Sequence, residues 1–180
     1  MKIIGVFAYQ GAGHLFIEAL NLLGYKAVKL FAETDFSKLD GIILPGGESS
    51  VQYDYCINSK LDEKIRTFFL TKKPMLGTCA GAILLSKYMS ERVKGLGLIN
   101  IDIERNAYGR QINSKLIKTD SNQEAFMIRA PAIVDYGREV KILDTLDGNP
   151  IFVKQQNVYC TTFHPELGKL DNNNPIIKVF

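Results

Sequence analysis

The chain opens on an apolar run, Lys2 to Tyr9, rich in β-branched residues, and such a run predicts a strand buried on both faces. Gln10-Gly11-Ala12-Gly13 breaks it as a turn. Leu15, Ile17, Ala19, Leu20, Leu22 and Leu23 then recur near the helical period, and Gly24 closes that helix. Lys26 to Phe31 alternates as a second strand. Asp40 to Pro45 reads as a short buried strand that ends in Gly46-Gly47. Leu61, Ile65, Phe68 and Phe69 mark another helix, Met75 to Gly77 a fourth strand, and Ala80 to Tyr88 the helix after it. Alternation of this kind predicts an α/β domain built on a doubly wound parallel sheet.

The second half changes character. Leu98–Ile103, Gln111–Leu116, Ala125–Arg129, Val140–Leu146, Ile151–Gln155 and Val158–Phe163 read as shorter strands joined by Gly, Asn and Asp turns. They are expected to add antiparallel and edge strands to the same unit, so residues 1–180 are read as one domain. Ligands of open α/β sheets bind at the carboxyl ends of the strands. The Gly-rich segments after Leu44 and Leu76 fall at such ends.

Composition narrows the functional classes. A chain of 180 residues with 46% hydrophobic and 23% charged residues has enough core to fold without a metal or a disulfide. A net charge of +3, with no block of like charges, argues against nucleic acid and anionic membranes as partners. The apolar stretch Ile3 to Tyr9 is far shorter than the roughly 20 residues of a membrane span, and no signal-peptide cleavage site follows it. Cys56, Cys79 and Cys160 are odd in number and lack CxxC spacing, which predicts free thiols in a reducing cytoplasm and no metal site.

One of these cysteines lies in a reactive pattern. Gly77-Thr78-Cys79-Ala80-Gly81 is G-x-C-x-G between a predicted strand and helix, a nucleophile elbow with cysteine in place of serine. Small flanking residues allow a sharp turn, and the helix N-terminus favours a thiolate. Phe163-His164-Pro165-Glu166 supplies an imidazole and a carboxylate two residues apart. In an extended segment, positions i and i+2 share a side, so Glu166 can fix the tautomer of His164 while His164 takes the thiol proton. The other histidine, His14, begins a predicted helix and reads as a surface or capping residue. Leu44 to Ser49 leaves backbone free for close approach to a ligand, and an N–H there, with that of Ala80, can form an oxyanion hole. Arg105 and Arg129 each stand beside rigid turn residues and suit carboxylate recognition. Cys56 and Cys160 read as inert thiols.

Four motifs together resemble one family. Leu44-Pro-Gly-Gly-Glu-Ser49, Gly77-Thr-Cys-Ala-Gly81, Arg105-Asn-Ala-Tyr-Gly-Arg-Gln111 and Phe163-His-Pro-Glu-Leu167 look like class I (triad) glutamine amidotransferases. Arg105 to Gln111, with Tyr9-Gln-Gly-Ala12 and Ile128-Arg-Ala-Pro131, more narrowly resembles the glutaminase subunit of pyridoxal 5′-phosphate synthase. The resemblance implies a flavodoxin-like three-layer sandwich. It implies a Cys79–His164–Glu166 triad that hydrolyses L-glutamine to glutamate and ammonia through a thioester. It places glutamine against Gly47, Glu48, Ser49, Arg105, Ile128 and Arg129, with an oxyanion hole from Gly47 and Ala80 that Gln10 completes when a partner docks. The partner implied is a (β/α)8-barrel synthase subunit in a hetero-oligomeric complex, with no cofactor bound to this chain. Two alternatives stay open: a glutaminase for another acceptor, of the histidine or purine type, and a catalytically silent subunit of the same fold.

Overall fold

The computed structural model describes residues 1–107 and 115–180. Four parallel strands form early in the chain: β1 (Ile3–Phe7), β2 (Lys26–Leu30), β3 (Gly41–Leu44) and β4 (Met75–Thr78). Helices α1 (Gly13–Leu22), α2 (Ser49–Asn58), α3 (Leu61–Leu70) and α4 (Ala80–Leu85) lie between and after them. Among the described residues of the second half are β5 (Ile101–Glu104), β6 (Lys115–Lys118), β7 (Glu124–Met127), β8 (Ala132–Tyr136), β9 (Lys141–Leu146), β10 (Asn149–Gln155) and β11 (Val158–Thr161).

The central sheet has the order β2-β1-β3-β4-β11-β10-β9; its strands pair in parallel from β2 to β11, and β10 alone is reversed, pairing antiparallel with both β11 and β9. The predicted α/β class, with a mostly parallel sheet and antiparallel edge strands, is borne out. One expectation is corrected. Val158–Thr161 is not an antiparallel addition but a fifth parallel strand, paired with β4 in the interior of the sheet. Its buried residues Val158, Cys160 and Thr161 suit that place. Two small antiparallel sheets, β5–β8 and β6–β7, flank the main one.

Alternation along the strands sorts the core into two layers. Ile42, Leu44 and Met75 join the cluster beneath α3 and α4, while Ile43 and Leu76 join Phe16 and Leu20 of α1 on the opposite face. The sheet therefore lies between two helical layers, each closed by apolar burial. α2 is a helix that the apolar pattern does not predict. Its buried residues are Ser49, Ser50, Gln52 and Cys56, so it shows no hydrophobic stripe. α4 stops at Leu85, three residues short of the predicted Tyr88. From Pro165 on, the chain holds 3₁₀ turns at Pro165–Leu167 and Ile177–Val179. The expected strand Gln111–Leu116 is seen from Lys115 on, and Tyr108, Gly109, Arg110 and Gln111 of the Arg105 motif lie outside the described residues.

The elbow depends on close packing of α4 against β3. A Cβ at Gly81 would collide with the Leu44 carbonyl oxygen, and one at Gly77 would meet the Gly81 carbonyl oxygen at 2.7 Å. Backbone atoms on both sides leave no flexible group to give way. Gly81→Ala is expected to destabilise the protein by about 2–3 kcal/mol, the upper part of the overpacking range. A thermal melt should show Tm lower by roughly 4–12 °C. An unchanged Tm would mean that α4 can shift freely on β3.

Candidate active site

Sheet topology explains why residues remote in sequence meet. The order β2-β1-β3-β4 reverses direction between β1 and β3, the switch point at which such sheets open a crevice. Gln10 follows β1, Gly47 follows β3, Cys79 follows β4 and His164 follows β11. All four stand at the carboxyl ends of adjacent parallel strands.

Cys79 is the residue of the turn between β4 and α4, with φ 48° and ψ −102°. Such a backbone costs about 1–3 kcal/mol for a residue with a Cβ, and it persists only where the surroundings enforce it. Here its N–H donates to the Thr161 carbonyl at 2.9 Å and its carbonyl accepts from Ile83 N–H at 3.2 Å. Asn106 (φ 54°) and Arg129 (φ 45°), on the rim of the same site, are also left-handed. Three of the eight non-glycine residues with positive φ among the described residues thus line this one cleft.

His164 is buried, and its Nδ1 lies 2.8 Å from Glu166 Oε1. With Nδ1 engaged, the hydrogen bond between His164 and Cys79 falls to Nε2. Burial works against a charged ring, but the hydrogen bonds to Cys79 and Glu166, and their negative charge, raise its pKa from 6.5 to about 10. His164 therefore holds its proton at neutral pH. Glu166 reaches it from the 3₁₀ turn Pro165–Leu167, not from an extended segment. The turn makes the same i to i+2 approach that the sequence suggests. Gly46 packs against this pair, since a Cβ there would collide with His164 Cε1 and meet Cys79 Cβ at 3.5 Å.

A pocket of about 140 Å³ opens over Cys79. Gly47, Glu48 and Ser49 line it from the loop after β3, and Cys79 and Ala80 from the elbow. Arg105, Ile128 and Arg129 close it from the segments that follow β5 and β7, with His164 beside the sulfur. Glu166 stands behind His164, away from the pocket wall. Gln10 is also off the wall, and its Nε2 donates to the Glu48 carbonyl at 3.0 Å, bracing the loop that carries Gly47. Asn106, Pro131 and Ile83 line the pocket as well. Ile83 is one helical turn beyond Cys79, so a helical projection from the nucleophile would have found it.

The pocket has charges of both signs. Glu48 Oε1 accepts from Arg105 Nη2 at 3.0 Å and from Ser50 Oγ at 3.2 Å, and Arg129 adds a second cation. A half-exposed pair of this kind adds about 0–1 kcal/mol to stability, so its value lies in placing charge. The Ser49 hydroxyl is buried in the lining and has no hydrogen-bond partner among the described residues. Drug-sized clefts run to about 300–1,000 Å³, so this one suits a molecule of amino-acid size.

Elsewhere the chemistry is sparse. A larger cavity of about 580 Å³ lies behind the His164 segment, along Phe163 and Pro165, and contains none of Cys79, His164 and Glu166. Cys56 and Cys160 are buried free thiols; burial pushes Cys56 up to about 12 and Cys160 higher still. His14 is exposed on α1 and caps nothing. Among the described residues no group of three His, Cys, Asp or Glu could hold a metal ion, and no helix is long and apolar enough to cross a membrane.

The chain is similar to known proteins. The family model of the SNO glutamine amidotransferase family matches residues 6–180. A "Pyridoxal 5′-phosphate synthase subunit PdxT" of Caldicellulosiruptor saccharolyticus is 44% identical over 173 residues, covering 93% of this chain and 92% of the relative. The protein of the same name from Listeria innocua is 38% identical over 186 residues, covering 100% and 97%. Among solved structures, a glutamine amidotransferase superposes with a TM-score of 0.85 at 31% identity, covering 97% of this chain and 94% of the other. PurLQS from Thermotoga maritima, at 18% identity and a TM-score of 0.66, shares the fold.

Proposed function

Because this chain belongs to the SNO glutamine amidotransferase family, we propose that it is the glutaminase subunit of a pyridoxal 5′-phosphate synthase, with Cys79, His164 and Glu166 as its triad. All 180 residues are assigned to this one domain. The observation that carries the reading is the pocket itself, which puts Glu48, Arg105 and Arg129 around a cysteine bonded to a proton-bearing imidazole. A free amino acid with an amide side chain matches that pattern: Glu48 faces the ammonium, the arginines face the carboxylate, and the amide carbon meets Cys79.

The mechanism follows from these positions. Cys79 Sγ attacks the side-chain amide carbon, and the carbonyl oxygen gains negative charge. The N–H groups of Gly47 and Ala80 stabilise that oxyanion, and Gln10 braces the loop that carries the first of them. His164 gives its proton to the amide nitrogen as the carbon–nitrogen bond breaks, releasing ammonia and leaving a γ-glutamyl thioester on Cys79. His164 then removes a proton from water, which attacks the thioester. The sulfur leaves and glutamate departs. Glu166 keeps Nδ1 engaged throughout.

The ammonia is assigned to a (β/α)8-barrel synthase subunit docked over the pocket, and docking is expected to raise the glutaminase rate. The unpaired thiols suit a cytoplasmic enzyme. The test is glutamate release from the purified chain with glutamine, with and without a barrel-type pyridoxal 5′-phosphate synthase subunit, beside labelling by a cysteine-reactive glutamine analogue. Stimulated release and label on Cys79 alone are the expected results. Label without stimulation would discard this acceptor. Absence of both label and release would discard the glutaminase.

A further inference from the structure

The β6–β7 hairpin is hydrogen-bonded as a sheet of its own, apart from the seven strands, yet the chain leaves it straight into Ile128 and Arg129 of the pocket. An isolated two-stranded hairpin is marginal in water, so its position depends on what fastens it. Ala125 and Met127 are buried against the core. At the site end, the His164 N–H donates to the Phe126 carbonyl at 2.9 Å, tying β7 to the backbone of the triad.

The other end is fastened to the β9–β10 turn through Asp120, with Ser121 beside it. Asp120 lies in the turn between β6 and β7 and faces the turn between β9 and β10. Its carboxylate accepts from Thr145 Oγ1 at 2.5 Å, Asp147 N–H at 3.1 Å and Gly148 N–H at 3.0 Å. Its own N–H donates to the Thr145 carbonyl at 2.9 Å. Beside it, Ser121 Oγ donates to Asp144 Oδ2 at 2.7 Å. Hydrogen bonds to an ionised carboxylate are about twice as strong as neutral ones. Those from Thr145 first, then from the Gly148 and Asp147 amides, hold Asp120 below the usual carboxylate range, so the clamp stays charged across neutral pH.

We propose that Asp120 is a positioning residue for the glutamine site. Its carboxylate locks the tip of the β6–β7 hairpin onto the β9–β10 turn and thereby fixes how Ile128 and Arg129 are presented to the substrate. Because Phe126 still holds His164 when the tip is released, loosening acts on binding and not on the chemical step. The proposal rests on the glutaminase reading for its kinetic half and on the fold alone for its dynamic half.

The test compares wild type, Asp120→Ala, Asp120→Asn and Asp35→Ala in the complex with the barrel subunit. Asp35 is a matched control, an exposed aspartate that accepts from Ser37 N–H and Ser37 Oγ between β2 and β3. Asp120→Ala is expected to raise KM for glutamine about 5-fold or more with kcat within about 2-fold, whereas Asp35→Ala leaves both unchanged. Asp120→Asn keeps an acceptor oxygen and is expected to recover most of the KM. In the free chain, amide exchange at Ile128 and Ala130 is expected to quicken in Asp120→Ala. Unaltered exchange, or an unaltered KM in an active enzyme, overturns the proposal, as does an equal effect of Asp35→Ala. A wild-type chain without glutaminase activity would instead overturn the functional reading and leave the exchange result to decide the clamp.

Discussion

Cys79→Ala is expected to abolish glutamine hydrolysis, by about 10,000-fold or more in kcat, as removal of a covalent nucleophile does. The loss should be chemical and not structural. Cys79 is buried with only 8% of its surface exposed, and alanine keeps the Cβ and the hydrogen bonds that the Cys79 backbone makes with Thr161 and Ile83. The left-handed φ of 48° is no worse for alanine than for cysteine. The fold, the pocket and the docking face should therefore survive. In the complex, pyridoxal 5′-phosphate formation with glutamine as the nitrogen source should fail, while formation from added ammonium continues at the wild-type rate. That pair of assays separates a lost nucleophile from a lost partner. Glutamine hydrolysis at more than about 1% of wild type would exclude Cys79 as the nucleophile, since the other two thiols are buried away from the pocket.

Legibility in the sequence tracked how far each segment's burial was apolar. β1 and β3 are covered on both faces and read as continuous apolar runs; α3 has one wet face and reads as a stripe. α2 could not be read that way, because what it buries is Ser49, Ser50 and Gln52. Those side chains face the catalytic loop; Gln52 Nε2, for one, donates to the Pro45 carbonyl at 3.1 Å. A helix that shapes a polar site lacks the signature of one that only fills a core. β8 escaped for a related reason, since three of its five residues are exposed. β11 was read as a strand but misplaced, because partner and direction depend on chain crossings that local pattern does not encode.

The site was more legible than the second half of the fold. Its chemistry is carried by rare residue types, two histidines and three cysteines in 180 residues, at spacings that serve little else. The strand order then brings them together at adjacent carboxyl ends. What the sequence concealed were contacts between segments. Gly46 reads as half of a turn, yet its missing side chain is the space that His164 occupies. Asp120 reads as a surface aspartate, and only the paired turns show what it holds.

The second large effect concerns Glu166. Its side chain is fully buried, Oε1 engages His164, and Oε2 has no hydrogen-bond partner among the described residues. Glu166→Gln changes charge with almost no change in volume, so packing and the pocket wall, which Glu166 does not form, should be retained. The ring loses more. An amide carries no charge to support an imidazolium. When its N–H turns toward Nδ1, the proton moves to the nitrogen facing Cys79, the wrong tautomer for a base. kcat for glutamine is expected to fall by about 100- to 10,000-fold with KM little changed.

The proton itself gives a second measure. The pKa of His164 stands at about 10, where burial lowers it and the hydrogen bonds and charges of Cys79 and Glu166 raise it further. In Glu166→Gln the Glu166 contribution is gone, and the His164 titration followed by NMR should move down toward 6.5. Stability follows in a definite direction. A folded pKa above the unfolded one stabilises most fully below pH 6.5, and that stabilisation is lost as pH rises through about 10. The variant lacks that contribution, so its urea midpoint should fall furthest below wild type near pH 6, and the gap should narrow as pH rises from 7 to 9. A kcat within about 3-fold of wild type alongside a lowered His164 pKa would show that sulfur and imidazole need no orienting acid, because the charge would then have been removed without consequence for the chemistry.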